Sequence, residues 1–378
     1  MANFLSNLFQ KKNTSVIGID IGASAIKIVQ IRKKGGRALL ETYGALALGP
    51  YAGQPVGKAT NLPVDKIVEA VVDIMKEAHI TSRRGGIAIP FSSSLMSVIE
   101  MPDVGEKQLA TMVPIEARKY IPVPISEVSL DWSIIPKDEI KSSGLSSRAE
   151  AAMRPVAPGL AKTDVLVVAI HNDTIVQYQN IVSRAQLDAN FFEIEIFSTM
   201  RSVLDQNPDP VMIVDIGAAT TKLYIVERGG IRVSHAINRG SQDITSAIST
   251  SLGVSIEQAE VMKRSVGYTK TGPTEDGKDI SMLATLTLDY IFAEARRVML
   301  SYQQKYMKSV DKVILVGGGS AMKGITDIAK ERLQVVVEQG DPFSKVAAPA
   351  FLVEVLRNNG PEFAVALGIA LRRLQEEE

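Results

Sequence analysis

Apolar positions along the chain fall into two stretches that share one layout. Residues 16–31 read VIGIDIGASAIKIVQI and residues 211–226 read VMIVDIGAATTKLYIV. Each is a β-rich run, then Asp-Ile-Gly-Ala, then three mostly small or hydroxylated residues, then a lysine and a second β-rich run. Asp20 and Asp215 stand 195 residues apart, as do Gly22 and Gly217, and Lys27 and Lys222. Both second runs reach a glycine pair, Gly35-Gly36 and Gly229-Gly230, which reads as the next hairpin turn. The pattern predicts two antiparallel three-strand units, over 16–48 and 211–238.

Each half then changes period. Ile67, Val71, Ile74, Met75 and Ala78 recur at helical spacing within 64–80, ahead of a strand at 85–90. In the second half, helical patterns cover 241–251, 255–264 and 281–307, ahead of a strand at 312–316 and the turn Gly317-Gly318-Gly319. This order gives an α/β fold with two related lobes, and a match of this length points to duplication of one fold unit.

The 378 residues suffice for two lobes, and 46% hydrophobic with 22% charged residues is the balance of a globular protein. Basic and acidic residues are equal at 42 each, so the overall charge lacks the basic excess of a nucleic-acid binder. The chain has no cysteine, which excludes disulfides, Cys-ligated zinc and thiol nucleophiles. His79, His171 and His235 are far apart and read as structural or surface residues. No apolar run approaches the roughly 20 residues that span a bilayer. Near the start, Phe4, Leu5, Leu8 and Phe9 share one helical face before Lys11 and Lys12. That pattern suits either a weak membrane-surface foot or a short packed arm.

The repeated turn carries the candidate chemistry. A phosphate needs converging backbone N–H groups, and glycine lets the backbone come close. Gly22 and Gly217 supply such turns, with hydroxyls from Ser24, Thr220 and Thr221. Asp20 and Asp215 end their strands there, an acidic pair suited to Mg²⁺ held through water and phosphate oxygens. Lys27 either offsets phosphate charge or faces solvent. A single Asp-Gly turn is a common structural hairpin. Two copies facing each other, plus the glycine turn at 317–319, make a clamp for a nucleotide. No P-loop pattern occurs.

The set DIGASAIK (20–27), DIGAATTK (215–222) and VGGGSAMKGI (316–325) resembles the phosphate and adenosine motifs of the actin, heat-shock-chaperone and sugar-kinase superfamily. The resemblance spans nearly the whole chain and implies ATP with Mg²⁺ in an interlobe cleft. It places Gly22, Ala23 and Ser24 in the first phosphate loop and Gly217, Ala218 and Thr220 in the second. Gly317, Gly318, Gly319 and Ser320 match the adenosine loop. AEVMK (259–263) is similar to the helix that contacts ribose and adenine, which would assign Glu260 and Lys263.

Within the superfamily, IAIPFSSSLMSVIEMP (87–102) and EARKYIPVPISEVSLDW (116–132) resemble the third subdomain of the PilM family of type IV pilus assembly proteins, shared with FtsA. FEIEIFSTMRSVL (192–204) is similar to that family's interlobe helix and puts Glu195 near the cleft. There it either positions a water, with Asp215 the other candidate for a catalytic carboxylate, or is an ion-paired helix residue. The resemblance implies an arm at 1–15, a first lobe at 16–84 and 166–205, a third subdomain at 85–165 and a second lobe at 206–378. It implies a cytoplasmic scaffold at the inner membrane, held there mainly by its partner. That partner is the N-terminal cytoplasmic peptide of a PilN-like protein, bound beside region 85–165, with other platform proteins and self-association as further contacts. Turnover of ATP is expected to be slow or undetectable. Segment 137–163, rich in Ser, Ala, Gly and Pro, departs from the family pattern and reads as a long mobile hairpin loop. A small-molecule kinase and an FtsA-like filament are the alternatives. The acidic end ALGIALRRLQEEE is unlike a lipid-binding helix.

Overall fold

A computed structural model describes residues 15–136, 162–206, 208–266 and 280–376. The arm at 1–14 and most of the loop, 137–161, lie outside the described residues; Lys162 and Thr163 already belong to a strand. The first hairpin unit is β1 Ser15–Ile21, β2 Ala25–Lys34 and β3 Arg37–Ala47. Helix α1 Val64–Glu77 leads to β4 Arg84–Ile89. The third unit follows as β5 Ser94–Pro102, α2 Glu106–Ala117, β6 Val128–Ile134 and β7 Lys162–His171. Helix α3 Asn172–Arg184, β8 Asp188–Ile194 and α4 Glu195–Val203 complete the half.

The second half runs β9 Val211–Ile216, β10 Thr221–Glu227 and β11 Gly230–Ile237, then α5 Ser241–Leu252, α6 Ile256–Val266 and α7 Ile280–Tyr306. It ends with β12 Lys312–Val316, α8 Ile325–Leu333, β13 Val336–Gln339, α9 Val353–Asn359 and α10 Ala364–Gln375. The two five-stranded sheets have the same order, β3-β2-β1-β4-β8 and β11-β10-β9-β12-β13. The pairing register repeats too: Asp20 faces Lys27 and Asp215 faces Lys222.

Two expectations shift. β4 hydrogen-bonds to β1 and β8, so the strand at 85–90 belongs to the first lobe rather than to the third unit, whose own sheet is β5-β7-β6. The second hairpin turn is Arg228-Gly229, with φ of 54° and 75°, and Gly230 opens β11 instead. An arginine in the left-handed region carries no turn signature, and the glycine pair drew the turn one residue too late.

Each half sends its last helix to the other half's sheet. Ile196 and Met200 of α4 pack with Val211, Ile213 and Ile314 of the second sheet. Ala366, Leu367 and Ala370 of α10 pack with Val16, Val29 and Ile31 of the first. A Cβ on Gly18 would stand 1.9 Å from Ala366 O, and one on Gly368 would stand 1.9 Å from Ser198 O. So α10 lies directly on β1 and crosses α4 backbone to backbone, burying the segment ALGIAL in the protein. The opposite face of the first sheet is covered by Ala70, Val71, Ile74 and Met75 of α1, each deeply buried. Large apolar side chains such as Val71, Ile74 and Met75 contribute about 1.5–3 kcal/mol each.

Candidate functional site

The strand ends of both lobes open on one cavity between them. It is lined by Asp20, Gly22, Ala23, Ser24 and Lys27 of the first hairpin and by Asp215, Gly217, Ala218, Ala219, Thr220 and Lys222 of the second. Gly317 and Gly318 close one end, Glu195 and Thr199 of α4 another, and Pro361 and Glu362 a third. The turns share one construction. Gly22 N–H donates to Ala25 O at 3.1 Å, and Gly217 N–H donates to Thr220 O at 3.0 Å. At Gly317, φ is 82°, and a Cβ would stand 2.4 Å from Asp215 Oδ1, so glycine is required where β12 turns over the end of β9.

The charges form a connected group. Lys222 Nζ donates to Glu195 Oε2 at 2.7 Å and to Asp215 Oδ2 at 3.1 Å. Glu195 Oε1 accepts from Phe91 N–H at 2.6 Å, at the root of the third unit. Burial opposes the charge on Lys222, but Asp215 and Glu195 outweigh it and hold its pKa above the ordinary lysine range. Burial pushes the Asp20 carboxyl up to about 6, against the pull of Lys27 and with help from Glu195. Lys27 lines the cavity, with Nζ 3.4 Å from where a Cβ on Gly22 would stand, so it faces inward. Asp20, Glu195, Asp215 and Glu362 thus meet only Lys27 and Lys222 in the wall. That deficit of positive charge suits a cation. Among the described residues no three His, Cys, Asp or Glu are grouped to ligate one directly.

Other expected residues are close but turned to other partners. Thr221 is fully buried, its hydroxyl donating to Arg239 O at 2.9 Å. Ser320 Oγ donates to Gly317 O at 2.7 Å, and Gly319 packs on Ile216; both shape the glycine turn from behind. Glu260 and Lys263 pair at 2.6 Å and share Thr245, whose hydroxyl meets Glu260 Oε2 at 2.7 Å. They stand apart from the phosphate-loop cavity, beside the loop between β3 and α1: a Cβ on Gly57 would lie 3.0 Å from Glu260 Cδ. That loop also bridges the lobes where Ala59 N–H donates to Gln242 Oε1 at 3.0 Å. Lys222, Thr199 and Glu362 went unread. For Lys222 the signal was present, as the repeat partner of Lys27; Thr199 and Glu362 arrive from distant elements.

A second recess lies beside the third unit. Asp131, Trp132 and Ser133 of β6 and Leu166, Val168 and Ile170 of β7 face Phe192, Glu193 and Ile194 of β8, with Phe197 of α4 and Arg372 of α10. Burial alone would raise the Glu193 carboxyl, but Arg201, Ser198 and Arg372 hold it below the usual range. Arg201 binds it in a two-pronged pair at 2.7 and 2.8 Å. The third unit also touches the second lobe. Arg232 of β11 reaches Asp164 Oδ2 at 3.1 Å and Pro136 O at 2.7 Å, while its Nε lies 3.0 Å from buried Glu227.

Comparisons with known proteins agree with this architecture. A solved PilM-PilN type IV pilus biogenesis complex superposes with a TM-score of 0.74 and 23% identity over 95% of this chain and 98% of that one. MreB5 of Spiroplasma citri bound to ADP superposes with a TM-score of 0.51 and 12% identity, over 96% of this chain and 98% of that chain. The cell division protein FtsA of Neisseria meningitidis is 26% identical over 327 residues, 79% of this chain and 77% of that protein. The fold is actin-like. Residues 18–374 match the Type IV pilus assembly protein PilM family, and the chain belongs to it.

Proposed function

We propose that the chain binds ATP with Mg²⁺ between its lobes and serves as a pilus-assembly scaffold that holds a PilN-like cytoplasmic peptide. The observation that carries the nucleotide reading is the single cavity onto which both glycine turns and both strand-end aspartates open. The amides at 23–24 and 218–220 would hold phosphates, with Ser24 and Thr220 hydroxyls beside them. Bound Mg²⁺ would supply charge neutralisation between phosphate oxygens. Glu260 and Lys263 are the residues this reading would give to ribose and base. Each oxygen of Glu195 accepts a hydrogen bond, which holds the carboxylate between Lys222 and Phe91, and the reading is tight binding with little turnover.

The peptide site in this reading is the recess beside β6 and β7. Its aromatic and branched walls suit apolar side chains, and Asp131, Glu193 and Arg372 at its edge suit polar ones. Helix α4 is the wall between the two sites: Glu195 and Thr199 line the cleft, and Phe197 lines the recess. Nucleotide that favours a closed cleft would therefore act on the peptide through that helix. No helix among the described residues is long and apolar enough to cross a membrane, so this reading brings the chain to the cytoplasmic face of the inner membrane through its partner.

Trp132 is the only tryptophan; it stands on β6 between the recess residues Asp131 and Ser133 and packs on the far face of that sheet, so its emission reports on the recess through the strand they share. Titration with the N-terminal cytoplasmic segment of a PilN-like protein should shift that emission to the blue, and Phe197→Ala should weaken binding about tenfold or more. Full binding by the Phe197→Ala protein would place the peptide elsewhere. Calorimetry with ATP and Mg²⁺ tests the cleft: a silent titration would end the nucleotide reading.

A further inference from the structure

We propose that Lys222 is a resident cation of the second phosphate hairpin, which lowers the dependence of nucleoside triphosphate binding on divalent metal. The proposal rests on the nucleotide reading above and adds a role for this chain's own ammonium group.

The lysine follows its turn as Lys27 follows the first, but its placement differs. Lys27 leans over the Gly22 turn, with Asp20 across the strand pair. Lys222 instead bridges two carboxylates from different elements, Asp215 of β9 and Glu195 of α4, at 3.1 and 2.7 Å. Its side chain is only 14% exposed, and those of Asp215 and Glu195 are 7% and 9% exposed. A buried ammonium between two buried carboxylates stands where a divalent ion would otherwise neutralise them. Charges this close and this buried act strongly on one another and are little screened by salt.

Two consequences follow. With Lys222 in place, a triphosphate meets a second hairpin whose two carboxylates are half neutralised, and the metal serves mainly the Asp20 side. Without it, Asp215 and Glu195 repel the phosphates until a metal ion arrives. Lys222 also holds Glu195, whose other oxygen accepts from Phe91 N–H, so the ammonium fixes the orientation of that carboxylate in the cavity wall.

The experiment measures affinity for ATP by calorimetry on the full chain, in excess Mg²⁺ and in EDTA. The wild type should lose about tenfold or less on metal removal. Lys222→Met should lose at least tenfold more than the wild type does, chiefly through weaker binding in EDTA, where tenfold is about 1.4 kcal/mol. Lys222→Arg, which keeps the charge, should behave as the wild type. Should Lys222→Met fail to fold with two carboxylates unpaired, the double variant Glu195→Gln with Lys222→Met carries the test and should still show the larger loss. Equal metal ratios in the wild type and the charge-removing variant would overturn the proposal, as would a wild type that already loses a hundredfold. If ATP binds to none of them with or without metal, the nucleotide reading itself falls and this inference with it, an outcome distinguished by the absence of any affinity to compare.

Discussion

The two halves repeat each other in strand order, register and turn, yet the helices that seal them do not repeat. On the first sheet, β1 carries Gly18 where β9 carries Ile213, and the difference follows from what lies above. Helix α10 rests backbone-close on β1, whereas α4 meets β9 through side chains, Ile196 and Met200 against Ile213. Duplication thus sets the phosphate-facing turns, while the exchange of terminal helices decides how each lobe is held. The crossing of α4 and α10 at Ser198 and Gly368 joins the two, so the geometry of the cleft depends on a contact with no room for a side chain.

That asymmetry is most sharply broken at the crossing. Gly368→Val places its Cβ against the Ser198 carbonyl, and overpacking of this kind against backbone is expected to cost about 3 kcal/mol or more. Ile213→Ala, the second-lobe test, should cost about 2–5 kcal/mol through a cavity, with the crossing intact. Denaturant midpoints read both. A Gly368→Val protein as stable as the wild type would show that α10 does not rest on α4 as described.

The third unit breaks the symmetry from outside. Arg232 ties β11 to Asp164 and Pro136, while Glu227 is also held by Lys308 and by Tyr302 at 3.0 Å. Arg232→Ala removes one member of a buried ion group and should destabilise by about 3 kcal/mol. Because the first lobe holds the third unit through the chain itself, the loss should fall on its docking to the second lobe. Amide exchange in β7 and β11 should rise together.

In the cleft the contrast concerns charge. Asp20→Ala removes the carboxylate that the proposal leaves to the metal, and Asp215→Ala removes one that Lys222 already pairs with. In excess Mg²⁺ the first should weaken ATP about tenfold and the second less, as measured by calorimetry. The reverse order would place the metal on the second hairpin.

Much of this frame was legible because duplication writes each feature twice. Asp20 with Asp215 and Gly22 with Gly217 stood out by spacing alone, and the structure puts all four on one cavity. Lys222 was visible by the same spacing, but its meaning depends on Glu195, 27 residues earlier on another element. The tie between Arg232 and Asp164 spans 68 positions and involves a charged pair that no local period marks. The segment ALGIALRRLQEEE was marked only as unlike a lipid-binding helix; the burial of α10 needs both sheets at once. Glu260 and Lys263 were reached through the family pattern, and their mutual ion pair is a tertiary detail that spacing does not encode.

The smallest expected effect separates two glycines that the sequence presents as equivalent. Gly36 sits at φ 77° in the first turn with open space around it, so Gly36→Ala should cost about 1 kcal/mol from the backbone alone. Gly230 begins β11 outside the left-handed region, but its added methyl would stand 3.0 Å from Ile135 Cγ2 of the third unit. Its cost comes from packing and should be about 0.5 kcal/mol. Truncating the neighbour distinguishes the two. In a double-mutant cycle, Ile135→Ala should relieve Gly230→Ala and leave Gly36→Ala untouched. If neither glycine couples to Ile135, β11 is not in contact with the third unit at its first residue, and Arg232 alone would hold the two together at that corner.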